Sequence, residues 1–229
     1  MLKNSNLKKF YDENPFPGPY TMDQLVSYGN VPSNRYLAHM NRYLDHGQNV
    51  LDIGCGTGLV SNLFASRYRS NYVGVDFSSG IDYAQQFAVD HGIDNVQFIK
   101  KDFFKYIPDR HFDVIICQSF ITHIEDCAAA MARINSILRP GCILLLGVYN
   151  TWGRWAKQVW PAGGSDRLQL DQYHCPFEVG YSHEQVMGLC ENSQMLSVIP
   201  SIRNHFVSFS SLFNRANGGL ALYAFRRNT

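Results

Sequence analysis

The sequence predicts an α/β fold: a doubly wound, mostly parallel seven-stranded sheet with helices on both faces. Three observations predict it. Short apolar runs alternate with helical patterns along most of the chain, which is the order of βαβ units feeding a parallel sheet. Phe112-Asp-Val-Ile-Ile-Cys117 and Ile143 to Val148 are apolar enough to be covered on both faces. The first apolar run passes directly into a glycine-rich turn and then into a helical pattern.

The elements follow in order. Asn49 to Gly54 is a first strand, and Leu59 to Tyr68 forms a helix with Leu59, Leu63 and Phe64 inward. Tyr72 to Asp76 is the second strand, followed by a helix over Ser79 to His91. Asn95 to Ile99 and Phe112 to Cys117 are the third and fourth strands. The helix Cys127 to Leu138 stops at Arg139-Pro-Gly141, and Cys142 to Tyr149 is the fifth strand. His183 to Glu191 reads as a helix with Ser182 as its N-cap. Strands at Leu196 to Ile202 and Gly219 to Arg226 complete the sheet.

Two segments break the alternation. Residues 1–30 form an amino-terminal arm, in which Phe10 to Tyr20 carries three prolines among aromatics and is expected to lie extended across a surface, closing over the site. The connection 150–181 is far longer than the 2–6 residues usual between α/β elements, and connections of that length serve as lids. Residues 31–229 otherwise form one domain.

Composition limits the function. Hydrophobic residues make up 45% and charged residues 17%, so the chain is globular. A formal net charge of +1 supplies no global field toward phosphate backbones or anionic lipid, so neither nucleic acid nor a membrane is an expected partner. No stretch approaches the roughly 20 apolar residues of a bilayer span, and Met1 to Phe10 lacks the apolar core of a secretory signal. The six cysteines contain no CxxC pair and read as reduced thiols, which makes a cytoplasmic location the expectation.

The motif that carries chemistry is Val50-Leu-Asp-Ile-Gly-Cys-Gly-Thr-Gly58. Glycine is required where backbone turns tightly and a ligand approaches closer than a Cβ permits. The carboxyl end of a parallel strand is where doubly wound sheets bind ligands. A dinucleotide fingerprint reads GxGxxG, whereas Gly54, Gly56 and Gly58 read GxGxG and are followed by Leu59. Asp76 ends the second strand and can accept ribose hydroxyls. Asp102, after the third strand, can accept from an adenine amino group, with Phe103 against the ring. Cys55 is a filler between glycines and not a nucleophile.

On these residues the chain resembles the class I S-adenosylmethionine-dependent methyltransferases. Val50 to Gly58 matches their first motif, Tyr72 to Phe77 the second, Asp102-Phe103 the third and Phe112 to Asp126 the fourth. The resemblance implies that Asp52, Gly54, Cys55, Gly56 and Gly58 hold the methionine portion of S-adenosyl-L-methionine. Asp76 with Phe77 would take the ribose, Asp102 with Phe103 the adenine, and Gln118 and Ser119 the sulfonium side. S-adenosyl-L-homocysteine would be the product, and the last strand of the sheet would run antiparallel.

Methyl transfer needs alignment above all, and a general base only for a protonated acceptor. His123, in the loop after the fourth strand, and His174, in the long connection, are the candidate catalytic residues. Tyr11, Tyr20, Tyr149, Trp152 and Tyr173 are candidate substrate contacts, and Trp152, Trp155 and Val159 fall at helical spacing as a buried stripe. No metal is expected, because His174, Cys175, Glu178 and His183 match no zinc spacing. The loop Cys117-Gln-Ser-Phe120 lacks the signatures of nucleic-acid methyltransferases, so a small molecule is the leading acceptor. The alternatives are a protein or tRNA substrate docked on Arg154, Lys157 and Arg167, or a non-catalytic nucleoside-binding or NAD-dependent protein. Replacing Asp76 is expected to cost cofactor affinity and leave the fold intact.

Overall fold

The computed structural model describes residues 3–30, 35–151, 153–155, 175–200 and 219–228. Trp152, Val159, Arg167, Lys157, Tyr173 and His174 lie outside the described residues. Seven strands form one sheet: β1 Asn49–Ile53, β2 Asn71–Asp76, β3 Val96–Lys100, β4 Val114–Gln118, β5 Ile143–Tyr149, β6 Ser193–Ile199 and β7 Leu220–Arg227. Their order is β3-β2-β1-β4-β5-β7-β6. The pairs from β3 to β5 are parallel, and β7 runs antiparallel between β5 and β6. The fold class and the antiparallel last strand thus match the sequence reading.

Alternation along the strands explains how the sheet is covered on both faces. Leu51, Ile53, Ile115 and Cys117 face one apolar layer, and their neighbours Val50, Val114 and Ile116 face the other. Helices α1 Lys3–Glu13, α2 Met22–Asn30, α3 Arg35–Met40, α4 Leu59–Ala65, α5 Gly80–Asp90, α6 Cys127–Ile137 and α7 His183–Leu189 surround it. Leu25 of α2, Leu37 and Met40 of α3, and Leu63 and Phe64 of α4 join the second layer. Met131 and Ile134 of α6 and Val186 of α7 join the first.

Local chemistry sets the helix starts. The Asp126 carboxylate accepts from the Ala129 amide at 2.9 Å and opens α6. Ser182, the N-cap that the sequence placed there, forms a reciprocal capping box with Gln185 that opens α7. Gly58, at φ 74°, turns the chain from the glycine loop into α4.

Several boundaries differ from the expectation. Phe10 to Glu13 is helical, because the prolines begin only at Pro15 and exclude helix from the residue before them. The extended stretch is therefore shorter than Phe10 to Tyr20. Strand β6 begins at Ser193 instead of Leu196, with an irregularity between Met195 and Ser197. The long connection is tied at its base: Asn150 bridges Tyr181, and the Tyr181 amide donates to the Tyr149 carbonyl at 2.8 Å.

Candidate active site

At the carboxyl ends of β1, β2 and β4 the sheet order reverses, and a cavity of about 330 Å³ opens there. Its wall includes Asp52, Gly54, Cys55, Gly56, Asp76, Phe77, Asp102, Phe103, Gln118, Ser119, Tyr11 and His123. Twelve residues that the sequence assigned to cofactor, substrate or proton transfer thus meet around one space.

Asp76 fixes the turn as well as facing the cavity. One carboxylate oxygen accepts from the Gly56 amide at 2.9 Å; the other accepts from the Ser78 amide at 2.8 Å and the Ser78 hydroxyl at 2.7 Å. A carboxylate offers about four lone-pair positions, so three are used by the protein. Asp76 thus also holds the glycine turn, beyond the ribose contact that the sequence assigned to it. Asp52 is buried, and its carboxylate accepts from the Ser61 hydroxyl at 2.6 Å. Burial pushes its carboxyl up to about 7, opposed by the Ser61 hydroxyl and assisted by the negative charge of Asp76. The same burial, with the charges of Asp76 and Asp52, holds the Cys55 thiol well above its ordinary value, so Cys55 stays protonated.

The three glycines serve protein neighbours and not only a ligand. A Cβ on Gly56 would lie 2.3 Å from the Phe16 carbonyl oxygen, and one on Gly54 would lie 2.8 Å from the Phe120 ring. A Cβ on Gly58 would meet Ala84 and Phe98, and Gly58 is not part of the cavity wall. The fourth strand ends in strain. Ser119, at φ 61°, is the one non-glycine residue in the left-handed region among the described residues, and such strain gathers at functional sites.

The arm sits on the glycine turn. The Thr57 amide donates to the Phe16 carbonyl at 3.0 Å, and the Thr57 hydroxyl to the Gly18 carbonyl at 3.1 Å. The Ser79 amide donates to the Asp12 carboxylate at 2.7 Å. Tyr20, read as a substrate contact, is off the cavity wall. Its hydroxyl donates to the Thr57 carbonyl at 3.0 Å and accepts from the Asn62 amide at 2.9 Å, so it straps the arm to α4. Sequence reasoning missed Leu7, Tyr28, Val60 and Ser78, which also line the cavity. Only the partial spacing of Leu7 and Tyr11 along one helix face signalled any of them.

His123 lines the cavity with aromatic neighbours behind it. The His123 and Tyr149 rings meet edge-on at 6.1 Å, and the Arg154 guanidinium stands 5.0 Å from the centre of the Tyr149 ring, so Tyr149 backs His123 without lining the cavity. Arg154 is largely buried and ion-paired to Glu178, which removes it from any docking face. Trp155 is about half exposed, at 48%, and is not part of a buried stripe. Cys175 contacts His123, and His183 stacks on Tyr223, so Cys175, Glu178 and His183 have separate partners.

Residues 44–188, more than half of the chain, match the family model described as a methyltransferase domain. The chain is 28% identical over 114 residues to ubiquinone biosynthesis O-methyltransferase of Bradyrhizobium sp. (strain ORS 278), covering 49% of this chain and 45% of that protein. It is 36% identical over 129 residues to phosphoethanolamine N-methyltransferase 3 of Arabidopsis thaliana, covering 55% and 26%. The chain thus spans less than half the length of these curated relatives. Among solved structures, the cyclase SpnF aligns with a TM-score of 0.63 at 17% identity, covering 99% of this chain and 94% of that one. The N-methyltransferase NodS from Bradyrhizobium japonicum WM9, in complex with S-adenosyl-L-homocysteine, aligns at 0.58 and 15% identity, covering 90% and 98%. These two likenesses concern the fold, which agrees with the family model: the chain belongs to the methyltransferase-domain family.

Proposed function

We propose that this chain is an S-adenosyl-L-methionine-dependent methyltransferase that methylates a small-molecule acceptor by in-line displacement, leaving S-adenosyl-L-homocysteine. The observation that carries the reading is the convergence of Asp52, the glycine turn, Asp76, Asp102 with Phe103, and Gln118 with Ser119 on one cavity. The donor set fits a sulfonium nucleoside. Gln118 Oε1 is buried without a hydrogen-bond partner, so the wall contains an acceptor that waits for a donor, as a methionyl ammonium would supply.

When bound, the cofactor supplies an activated methyl group on sulfur. The chain's own residues bind, orient and exclude water. Asp52 faces the methionyl ammonium, Asp76 takes ribose hydroxyls in its remaining lone-pair position as the Ser78 hydroxyl gives way, and Asp102 with Phe103 holds the adenine. Gly54, Cys55 and Gly56 press backbone against the methionine portion, Phe77 borders the ribose, and Ser119 shapes the sulfonium side. Alignment of the acceptor in a water-poor site is the main contribution, worth on the order of 7–11 kcal/mol for well-oriented reactants.

Relatives named for an O-methyl and an N-methyl acceptor support a small molecule. Burial of Arg154 in its pair with Glu178 disfavours a basic docking face for nucleic acid or protein. His174, Tyr173 and Trp152 remain part of this reading as acceptor contacts from the long connection. All six cysteines are free thiols, which supports a reducing, cytoplasmic setting. A neighbour described as a cyclase favours one second reading, a catalyst on this fold that does not transfer methyl, since fold does not dictate chemistry. Calorimetric titration with S-adenosylmethionine, S-adenosylhomocysteine and NAD tests the proposal. Tight binding of the first two and none of NAD is expected; preference for NAD, or no binding of either nucleoside, overturns it.

A further inference from the structure

Three separate parts of the chain meet beside the cavity: Tyr11 of α1 and His123, in the 3-10 turn Ile121–His123 after β4, stand on its wall, and the segment Cys175 to Phe177, near the end of the long connection, packs behind them. His123 Nδ1 lies 3.1 Å from the Phe177 carbonyl oxygen and 3.3 Å from Cys175 Sγ. Cys175 Sγ lies 3.3 Å from the same carbonyl and 3.7 Å from the Tyr11 hydroxyl. The Tyr11 and His123 rings are edge-on at 6.0 Å.

A carbonyl oxygen has no proton to give. The contact with Phe177 therefore requires the proton of a neutral His123 to be on Nδ1, which makes Nε2 the basic nitrogen. The Cys175 thiol donates to that same carbonyl, which has two lone pairs, and its sulfur accepts from Nδ1–H and from the Tyr11 hydroxyl. Cys175 thus joins the arm to the His123 loop, and the Val179 amide, donating to the Thr122 carbonyl at 2.9 Å, holds the two loops in register.

The chemistry of the wall around His123 narrows the acceptor. Leu7, Tyr11, Phe120 and Ile124 share the cavity with it, and none is charged. The nearest cation among the groups packed behind the ring, Arg154, lies across Tyr149 and is already paired with Glu178. Among the described residues, Lys101 is the one cation on the wall, beside Asp102 at the nucleoside end. The described residues around His123 offer a phosphorylated headgroup no opposite charge, which favours a neutral acceptor there, because burying an unpaired ion is costly.

Building on the methyltransferase reading, we propose that Cys175 and the Phe177 carbonyl are a positioning pair that fixes His123 with its proton on Nδ1, so that Nε2 takes the proton of a hydroxyl carried on an apolar or aromatic acceptor. The acceptor's O–H bond breaks toward Nε2 while the oxygen pair forms the bond to the methyl carbon. The methyl–sulfur pair stays on sulfur, and the imidazolium then returns its proton to water. His123 is the catalytic residue in this step, and Cys175 acts through it.

The test is nitrogen NMR on the full-length chain labelled with 15N at histidine, the His123 signals being assigned with His123→Gln. Without any ligand, His123 should give the neutral pattern of Nδ1–H with an unprotonated Nε2. Cys175→Ser should keep that pattern, and Cys175→Ala should admit a measurable Nε2–H population. With S-adenosylhomocysteine present, phenol should shift the Nε2 resonance and phosphoethanolamine should not. An Nε2–H tautomer in the unmodified chain, identical spectra for all three residues at position 175, or a response to phosphoethanolamine alone overturns the proposal. Failure of S-adenosylhomocysteine to bind would instead strike the methyltransferase reading, because the tautomer is measured without it.

Discussion

Asp76 both lines the cavity and holds the glycine turn. Removing only its charge with Asp76→Asn should weaken S-adenosylmethionine by about 10- to 100-fold, since a hydrogen bond to a charged group is worth about 1.5–3 kcal/mol. Titration calorimetry checks this, and unchanged affinity contradicts the assignment. Asp76→Ala should additionally destabilise the chain by about 1–3 kcal/mol, because the Gly56 and Ser78 amides lose their acceptor. Asp52 adds a pH dependence. Its carboxyl titrates near 7 in the folded chain and near 3.8 as the unperturbed group, so the folded state binds the extra proton between those values. The stability this contributes is complete below the unfolded value and is lost as pH rises through about 7. Affinity for a ligand bearing an ammonium group should move oppositely and rise over the same window. Melting curves with and without S-adenosylhomocysteine at either end of the window should show both trends, and Asp52→Asn should flatten them.

At the scale of elements, the strands and the glycine turn were legible, whereas the amino-terminal arm was not fully so. Strand periodicity and the run from β1 into Gly54 to Gly58 are local properties of sequence, and they fixed where the cavity opens. The role of Tyr20 depends on Thr57 and Asn62, residues of another element, and no spacing within the arm reveals them. Ser78 and Tyr28 reach the cavity for the same non-local reason. Tyr20→Phe should therefore leave methyl-donor contacts in place but loosen the arm, lowering stability by about 0.5–1.5 kcal/mol and increasing proteolysis within the first 20 residues. Gly56→Ala is expected to act more strongly, because its Cβ would strike the Phe16 carbonyl at a positive φ of 55°. The N-cap of α7 was readable from Ser182, although its reciprocal partner Gln185 was not, and Ser182→Ala should cost about 1 kcal/mol in urea denaturation.

At the scale of the whole molecule, the sheet order places the cavity at its switch point, and the arm contributes Leu7, Tyr11, Phe16 and Pro17 to its wall. Ligand binding should therefore stabilise the entire chain. At a concentration 100 times its Kd, S-adenosylhomocysteine should contribute about 2.7 kcal/mol and raise Tm by about 5–10 °C for a chain of this size. The apolar part of the wall was beyond the sequence because Leu7, Tyr11, Phe120 and Ile124 come together only after folding. The most direct measurement is a crystal structure with S-adenosylhomocysteine bound. The ribose should lie on Asp76 with the Ser78 hydroxyl turned aside, the adenine against Phe103, and the sulfur facing His123. A nucleoside bound elsewhere, or an Asp76 that keeps all three protein donors and touches no sugar, would contradict it.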